Sequence, residues 1–290
     1  MMNRTNIYEV AGHRFGITAD ETLFGQLTSY EPFIIAGTTD KELLFTLKVV
    51  SREEFPSIVG MTKEIMQDED YVKMLIGHWG DRSYFEFILY DNCEGRMLVS
   101  ADLREAIVTT KDGKPYAVNS AAMLMYTLTT ATLGTALFHA SVVEHKGKAY
   151  MFLGKSGTGK STHARLWLQH IADTHLVNDD NPVARIFADG SAVVYGSPWS
   201  GKTPCYRNVS YPIGGIVRLE QAPENIIQRL GVVEAYAAIL PSIAGKRWNK
   251  DMANGLHQTE SALIQAVPIW HLKCRPDKEA AMLCFESVKM

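Results

Sequence analysis

The sequence predicts an α/β protein, α+β overall, in which a β-rich N-terminal domain over residues 1–115 precedes a mixed domain over residues 116–290. The first 115 residues contain runs rich in aromatic and β-branched residues and little helical spacing. A charged segment with glycine and proline, residues 111–115, is typical of a linker. Beyond it, apolar strand-like runs alternate with stretches of helical periodicity, as in α/β domains.

The N-terminal domain is expected to be built mainly from strands. Strand candidates lie at residues 33–35, 43–50 and 84–90, and a turn at 91–95 leads into a returning strand at 96–100. No group of side chains in this region resembles catalytic machinery. We therefore expect a structural or partner-binding domain.

The C-terminal domain is expected to open with a helix that Asn119 or Ser120 caps and that runs to about residue 133. Further strands are expected at residues 139–143, 149–153, 176–177, 183–187, 192–195, 214–219 and 269–272. Further helices are expected at residues 161–170, 232–239 and 251–266 and from residue 278 onward. This alternation is the pattern of an α/β core.

Composition excludes several classes of protein. The 290 residues include 29 basic and 32 acidic side chains, a net charge of −3, which disfavours a large nucleic-acid-binding surface. The four cysteines form no CxxC pair, so neither a structural zinc site nor a redox dithiol is expected. The start of the chain lacks the apolar core of a signal peptide, which predicts a cytoplasmic protein. Residues 117–143 carry no Asp, Glu, Lys or Arg, but their five threonines favour a buried helix and strand over a membrane span.

A glycine-rich segment carries the strongest functional signal. It fits the phosphate-loop (Walker A) pattern of two glycines flanking four residues and followed by lysine and serine. Glycines let backbone N–H groups converge on phosphate oxygens, and the helix that follows directs its positive end at the same anion. A strand before the segment and a helix after it complete the required arrangement. The predicted nucleotide-binding residues are Gly154, Lys155, Ser156, Gly157, Thr158, Gly159, Lys160, Ser161 and Thr162.

Specific roles follow for two of these residues. Lys160 is expected to reach the β- and γ-phosphates, and the hydroxyl of Ser161 is expected to bind Mg²⁺. The segment therefore predicts binding of a nucleoside triphosphate.

A pair of acidic residues, Asp179 and Asp180, ends a short apolar strand beyond the loop. The pair is expected at the carboxyl edge of a neighbouring strand, where ligands collect in α/β sheets. One carboxylate could hold Mg²⁺, and the other could take the proton from an attacking hydroxyl. On its own the pair also fits a solvated turn.

Three further residues are candidates for the same site. His139 begins the strand that precedes the loop and could orient one of the carboxylates, although an isolated histidine there is commonly a core residue. Lys202, in a rigid Pro-Trp loop, and Arg207 could contact phosphate or the acceptor. The alternative for both is an incidental charge near a hairpin.

Three segments together resemble the catalytic core of bacterial HPr kinase/phosphorylase: residues 139–143, the loop at 154–161 and Asn178 with the acidic pair. That family shares its fold with ATP-dependent phosphoenolpyruvate carboxykinase. The resemblance covers about residues 135–220 and implies a compact P-loop kinase core with a mixed sheet. It implies that Lys160 contacts phosphates, that Ser161 and Asp180 bind Mg²⁺, that Asp179 is the base, and that His139 supports the acidic pair.

The resemblance has departures that bear on the acceptor. Ala140 stands where the family usually has glycine, and the family's downstream glycine-rich signature is absent. We interpret the chain as an HPr-kinase-like paralogue that uses ATP and Mg²⁺ to phosphorylate a hydroxyl of an unidentified protein serine or small molecule. Self-association is an expectation from the family, whereas no nucleic-acid or membrane partner is expected. The alternatives are a nucleotide-binding regulatory module without phosphotransfer and a scaffold with a degenerate loop.

Overall fold

The computed structural model describes residues 3–36, 42–69, 72–201, 203–247 and 249–289. The chain divides into two compact units, Met1–Thr129 and Thr130–Met290. Each unit is built around one mixed sheet, and the described residues form few helices beside them. This architecture confirms the expected mixture of helices and sheets at the level of fold class. Within the described residues, no helix is both long and apolar enough to span a membrane.

The first unit is an eight-stranded sheet with one long helix. Its elements are β1 (Arg4–Val10), β2 (His13–Ala19), α1 (Glu21–Phe24), a 3₁₀ helix (Thr28–Phe33), β3 (Thr46–Val49), β4 (Thr62–Glu69), β5 (Val72–Trp79), β6 (Arg82–Leu89), β7 (Asn92–Val99), β8 (Glu105–Val108) and α2 (Tyr116–Thr130). The strand order is β1-β2-β3-β8-β7-β6-β5-β4. Among the described strand pairs of this first sheet, only β2–β3 and β3–β8 are parallel.

Helix α2 belongs to the first unit, which moves the boundary from the expected 115/116 to 129/130. The hydroxyl of Tyr126 donates to the carbonyl of Val10 at 3.0 Å. The hydroxyl of Tyr30 donates to the side chain of Asn119 at 2.9 Å. Because Asn119 is engaged in this way inside the helix, it is not the N-cap that the sequence predicts, and the helix begins earlier, at Tyr116.

The prediction of a strand at residues 33–35 is wrong. The chain forms a 3₁₀ helix up to Phe33, and Ile34 makes only an isolated bridge to Tyr8. Phe33 is fully buried. A short apolar run fills a core equally well from a strand or from a helical turn, so its composition alone does not distinguish the two.

The second unit contains the glycine loop and a nine-stranded sheet. Its elements are β9 (Thr135–Leu137), β10 (Ala140–His145), β11 (Lys148–Leu153), α3 (Lys160–His170), β12 (Thr174–Asp180), β13 (Val183–Ile186), β14 (Ala192–Tyr195), β15 (Ser210–Gln221), β16 (Ile226–Arg229), α4 (Val232–Ile239), a 3₁₀ helix (Leu240–Ser242), α5 (Lys250–Ala266), β17 (Ile269–Cys274) and α6 (Lys278–Val288). The main path is β12-β10-β11-β15-β14-β13-β9, with β17 beside β15 and β16 beside β17.

Strand directions in this sheet bring several strand ends together. Strand β10 runs antiparallel to both β11 and β12, so these two strands point the same way. Strands β15 and β17 are parallel to β11. The carboxyl ends of β11, β12, β15 and β17 therefore lie at one edge, the position at which open α/β sheets bind ligands.

Helices α3 and α6 cover one face of this sheet. The fully buried ring of Trp167 on α3 lies 5.3 Å from the ring of Phe152 on β11 and 5.5 Å from Phe285 on α6. Burial of each such aromatic side chain contributes about 1.5–3 kcal/mol to folding. This packing fixes the start of α3, and with it the glycine loop, against the end of β11.

Candidate functional site

The glycine loop connects β11 to α3 through backbone conformations that suit glycine. The φ angles of Gly154, Gly157 and Gly159 are 153°, 77° and 104°. A Cβ atom on Gly154 would lie 3.0 Å from the methyl carbon of Thr158. Gly159 is the N-cap of α3 and no side chain caps that end, which leaves the N–H groups of the first turn available to an anion.

Lys160 is buried beneath the loop and is 8% exposed. Its Nζ atom donates to the carbonyl oxygens of Gly154 at 3.0 Å and Lys155 at 3.3 Å. Burial lowers the pKa of Lys160, while the nearby charges of Asp180 and Asp179 raise it. The ammonium group therefore contacts the loop and is near enough to the acidic pair for both negative charges to act on it. Ser161 is exposed in the first turn of the same helix.

The acidic pair is located two strands away from the glycine loop. The sequence predicted a neighbouring strand, but β10 lies between β11 and β12. In the register, Ala140 pairs with both Leu153 and Asp180, and Ser141 pairs with Asp179. Because β10 is antiparallel to both neighbours, its start meets both carboxyl ends. The acidic pair and the glycine loop are thus brought to the same edge through β10, a strand that the sequence did not predict between them.

The two aspartates have different surroundings. Asp179 is 6% exposed and accepts a short hydrogen bond from the hydroxyl of Ser141. Asp180 is more open, and its Oδ1 atom lies 3.3 Å from Nε2 of His139. Burial raises the pKa of Asp180, the charges of His139 and Lys160 lower it, and the charge of Asp179 raises it. Asp179 is thus fixed in position, whereas Asp180 has access to solvent and to a basic partner.

Backbone strain marks the end of β12. Asp180 has a φ of 154°, a value that residues other than glycine rarely adopt. The buried Asn178 holds this turn, because its Oδ1 atom accepts from the N–H of Asn181 at 3.0 Å and its amide donates to Ser197 Oγ at 3.2 Å. Strain of this kind persists where the surrounding contacts over-determine the backbone, commonly at functional sites.

The Pro-Trp loop packs directly against the acidic pair. The N–H of Gly201 donates to the carbonyl of Asp179 at 2.8 Å. A Cβ atom at Gly201 would lie 2.9 Å from Oδ2 of Asp180, so a larger residue here would displace that carboxylate. Lys202, the predicted phosphate or acceptor contact, lies outside the described residues. Arg207 is not brought to the loop, because its guanidinium donates to the carbonyl of Leu176, four residues before Asp180 on β12.

A cleft of about 490 Å³ adjoins the glycine loop. Its walls include Thr162 and His163 of α3, Leu219 of β15 and Arg275, which follows β17. The side chain of Gln221 donates to the carbonyl of Gly157 at 3.2 Å and so ties the loop to the end of β15. Neither Gln221 nor Ser141 was singled out as a site residue from the sequence. Ser141 lies within the His139–Val143 segment, but no local signal marked its role.

The donor set at this edge consists of hard oxygen ligands. Asp179, Asp180 and the hydroxyl of Ser161 are the group types that bind Mg²⁺ together with water and substrate phosphates. Among the described residues there is no group of three or more His, Cys, Asp and Glu side chains that could hold a metal ion alone. A cation here would depend on phosphate oxygens for part of its coordination, as Mg²⁺ in phosphoryl-transfer sites does.

The structure brings the loop, Lys160, the acidic pair and His139 to one sheet edge. It does not bring Arg207 there. A buried ammonium, free helix N–H groups and two carboxylates can bind a phosphorylated ligand with its cation and accept a proton. No protein-family model matches the sequence of this chain, and no curated protein matches it either.

Proposed function

We propose that the protein is an ATP- and Mg²⁺-dependent kinase of HPr-kinase-like type, which transfers the γ-phosphoryl group to a hydroxyl of a protein serine or a small molecule. One observation carries the proposal. The charges of Asp179 and Asp180 both raise the pKa of Lys160, and the Nζ atom of the same residue donates a hydrogen bond to the glycine loop. A phosphate-binding cation and two acids thus meet at one sheet edge.

The loop and Lys160 would bind the phosphates. The Nζ atom of Lys160 now donates to two loop carbonyls, and it would exchange these partners for phosphate oxygens. Ser161 and Asp180 would hold Mg²⁺, which neutralises charge on the β- and γ-phosphates when bound. The cleft of about 490 Å³ beside the loop lies within the usual range for small-molecule sites and would receive the base and ribose.

Asp179 would act as the base. As the acceptor oxygen forms its bond to the γ-phosphorus, the bond to ADP breaks and the hydroxyl proton passes to the carboxylate. A positioned base of this kind contributes about 10²–10⁴-fold to the rate. His139, 3.3 Å from Asp180, would keep that carboxylate charged and oriented toward the metal.

The direct test is transfer of labelled γ-phosphate from ATP to cell lysate and to pools of metabolites. We expect a labelled product with the wild type and a loss of about a hundredfold or more with Lys160→Ala. Asp179→Asn should keep nucleotide affinity and lose transfer. Asp180→Asn should recover part of its activity at high Mg²⁺, because it weakens metal binding rather than proton transfer. Lys278→Gln, an exposed charge loss on α6, is the control.

The outcomes separate the candidate functions. Nucleotide binding without any labelled acceptor would favour the regulatory module. Absence of a nucleotide-induced shift in the melting temperature would contradict both the kinase and the nucleotide-binding regulatory module. Near-normal transfer by Lys160→Ala would contradict the role given to the loop.

A further inference from the structure

A second cavity, of about 550 Å³, lies at the opposite end of β11 and α3 from the glycine loop. The turn between β10 and β11, the end of α3 and the second half of α6 line it. Helix α3 has 11 residues and spans about 16 Å between the two places. None of the candidate kinase residues lines this cavity. We refer to it as the distal cavity.

Tyr150 supplies a hydroxyl group to the wall of the distal cavity. Its side chain lines the cavity and is 3% exposed. Among the described residues no hydrogen bond involves its hydroxyl, and the oxygen is not fully buried, so it reaches the cavity. Burial raises the pKa of Tyr150, so the hydroxyl stays protonated at neutral pH and remains a donor. A hydroxyl at a cavity wall without a protein partner is free to hydrogen-bond to a ligand or to water.

Two lysines give the distal cavity its charge. Lys146 and Lys148 flank the turn between β10 and β11, and within the part of the chain that the structure describes neither has an ion pair. Of the other basic groups, His170 lies in the last turn of α3, where the helix dipole favours positive charge, and Lys289 pairs with Glu286 at 2.5 Å. The one carboxylate among the described lining residues is Asp173. Positive charge therefore exceeds negative charge at the mouth.

Aromatic and apolar side chains form the remaining wall. The ring of Phe285 packs edge-on against His145 at 4.9 Å and against Trp167 at 5.5 Å, which holds it in a fixed orientation. Ile171 and Met282 lie beside it on the lining surface. A flat apolar group can pack on such a wall while its charged end reaches the lysines.

We propose that the distal cavity binds a small organic anion with a flat apolar body, such as an aromatic carboxylate, sulfonate or phosphate. Lys146, Lys148 and the hydroxyl of Tyr150 contact the anionic group, and Phe285 packs against the body. This site is independent of the proposed kinase function, because it shares no residue with the glycine loop or the acidic pair.

The probe for the test is 8-anilinonaphthalene-1-sulfonate, titrated into the full chain and followed by fluorescence. We expect saturable binding that weakens with added salt. Replacing both lysines, Lys146→Gln with Lys148→Gln, should weaken binding by about tenfold or more, because two charge-assisted contacts are lost. Tyr150→Phe keeps the ring and should weaken binding by about fivefold. Lys278→Gln and Lys160→Ala should bind as the wild type does.

A neutral probe of similar body, N-phenyl-1-naphthylamine, tests the role of the charge. It should bind more weakly than the sulfonate, and its affinity should not change in the double lysine variant. Equal affinity for the two probes, or unchanged sulfonate affinity in both the lysine and the Tyr150→Phe variants, would overturn the proposal. Because Lys160→Ala is a control here, failure of this site leaves the kinase test unaffected.

Discussion

At the scale of single residues, the acidic pair depends on a serine from the strand between it and the glycine loop. Ser141 is 1% exposed, and its hydroxyl donates to the carboxylate of Asp179. A buried carboxylate with one hydrogen-bond donor is restricted to one orientation. If Asp179 is the base, Ser141 is a positioning residue that aims it at the acceptor hydroxyl.

Ser141→Ala is expected to lower kcat by about ten- to hundredfold, as loss of an outer hydrogen-bond partner commonly does. The KM for ATP should change by less than about twofold, because the loop contacts are untouched. Ser141→Thr keeps the hydroxyl and should restore part of kcat. Steady-state kinetics of the wild type and the two variants measures kcat and the KM for ATP. A merely structural serine would lower the melting temperature without this split between kcat and KM.

The local part of this site could be predicted from the sequence and the cross-strand part could not. The loop from Gly154 to Ser161 is a continuous motif whose glycine conformations follow from residue type. The bond between Ser141 and Asp179 joins residues 38 positions apart. It exists only because β10 and β12 pair in one register, and a shift by one residue would turn Ser141 to the other face.

At the scale of elements, helix α3 links the glycine loop to the core through a buried histidine. His163 is 3% exposed, and Nε1 of Trp167, one turn later, donates to its Nε2 atom at 3.2 Å. The accepting nitrogen must be unprotonated. Burial lowers the pKa of His163 to about 4. Helix α3 thus contains a group that resists protonation in the folded state.

The stability of the protein is expected to fall as the pH drops from about 6.5 to about 4. In this window the unfolded chain binds a proton at position 163 and the folded chain does not. The pKa difference corresponds to about 3 kcal/mol of lost unfolding free energy. His163→Gln keeps an acceptor for Trp167 and should remove this part of the loss. Urea unfolding at pH 7.5 and 4.5 measures it, with the exposed His170→Gln as control.

The loss of unfolding free energy between pH 7.5 and pH 4.5 must be larger in the wild type than in His163→Gln. Equal losses in the two proteins would mean that His163 titrates normally in the folded state. The comparison between variants cancels the contribution of the carboxylates, which also titrate at low pH.

Some elements have the bounds that the sequence predicts, and two short strands were not predicted at all. Strand β14 and helix α4 have the expected bounds, residues 192–195 and 232–239. Strands β9, with 3 residues, and β16, with 4 residues, were not expected. A strand of this length shows no periodic pattern, and its pairing partner rather than its composition makes it a strand.

At the scale of the whole molecule, the two units have separate sheets. The ring of Phe15 stacks on Phe45 at 5.0 Å in the first unit, and Trp167 belongs to a cluster of buried side chains in the second. The overall mixture of strands and helices could be predicted, because it follows from local composition. The strand order could not, because pairing β10 between β11 and β12 is a non-local choice.

Nucleotide binding is expected to slow amide hydrogen exchange in defined segments of the second unit. With adenylyl imidodiphosphate and Mg²⁺, amide hydrogen exchange should slow in the loop at residues 154–161 and at the end of β12. These segments hold the proposed phosphate and metal ligands, and binding shifts their local opening equilibria by mass action. Strands β5 and β6 of the first unit belong to another sheet and should exchange at an unchanged rate. Lys160→Ala should abolish the protection. Slowed exchange in β5 and β6 without any change at residues 154–161 would place the nucleotide elsewhere in the chain.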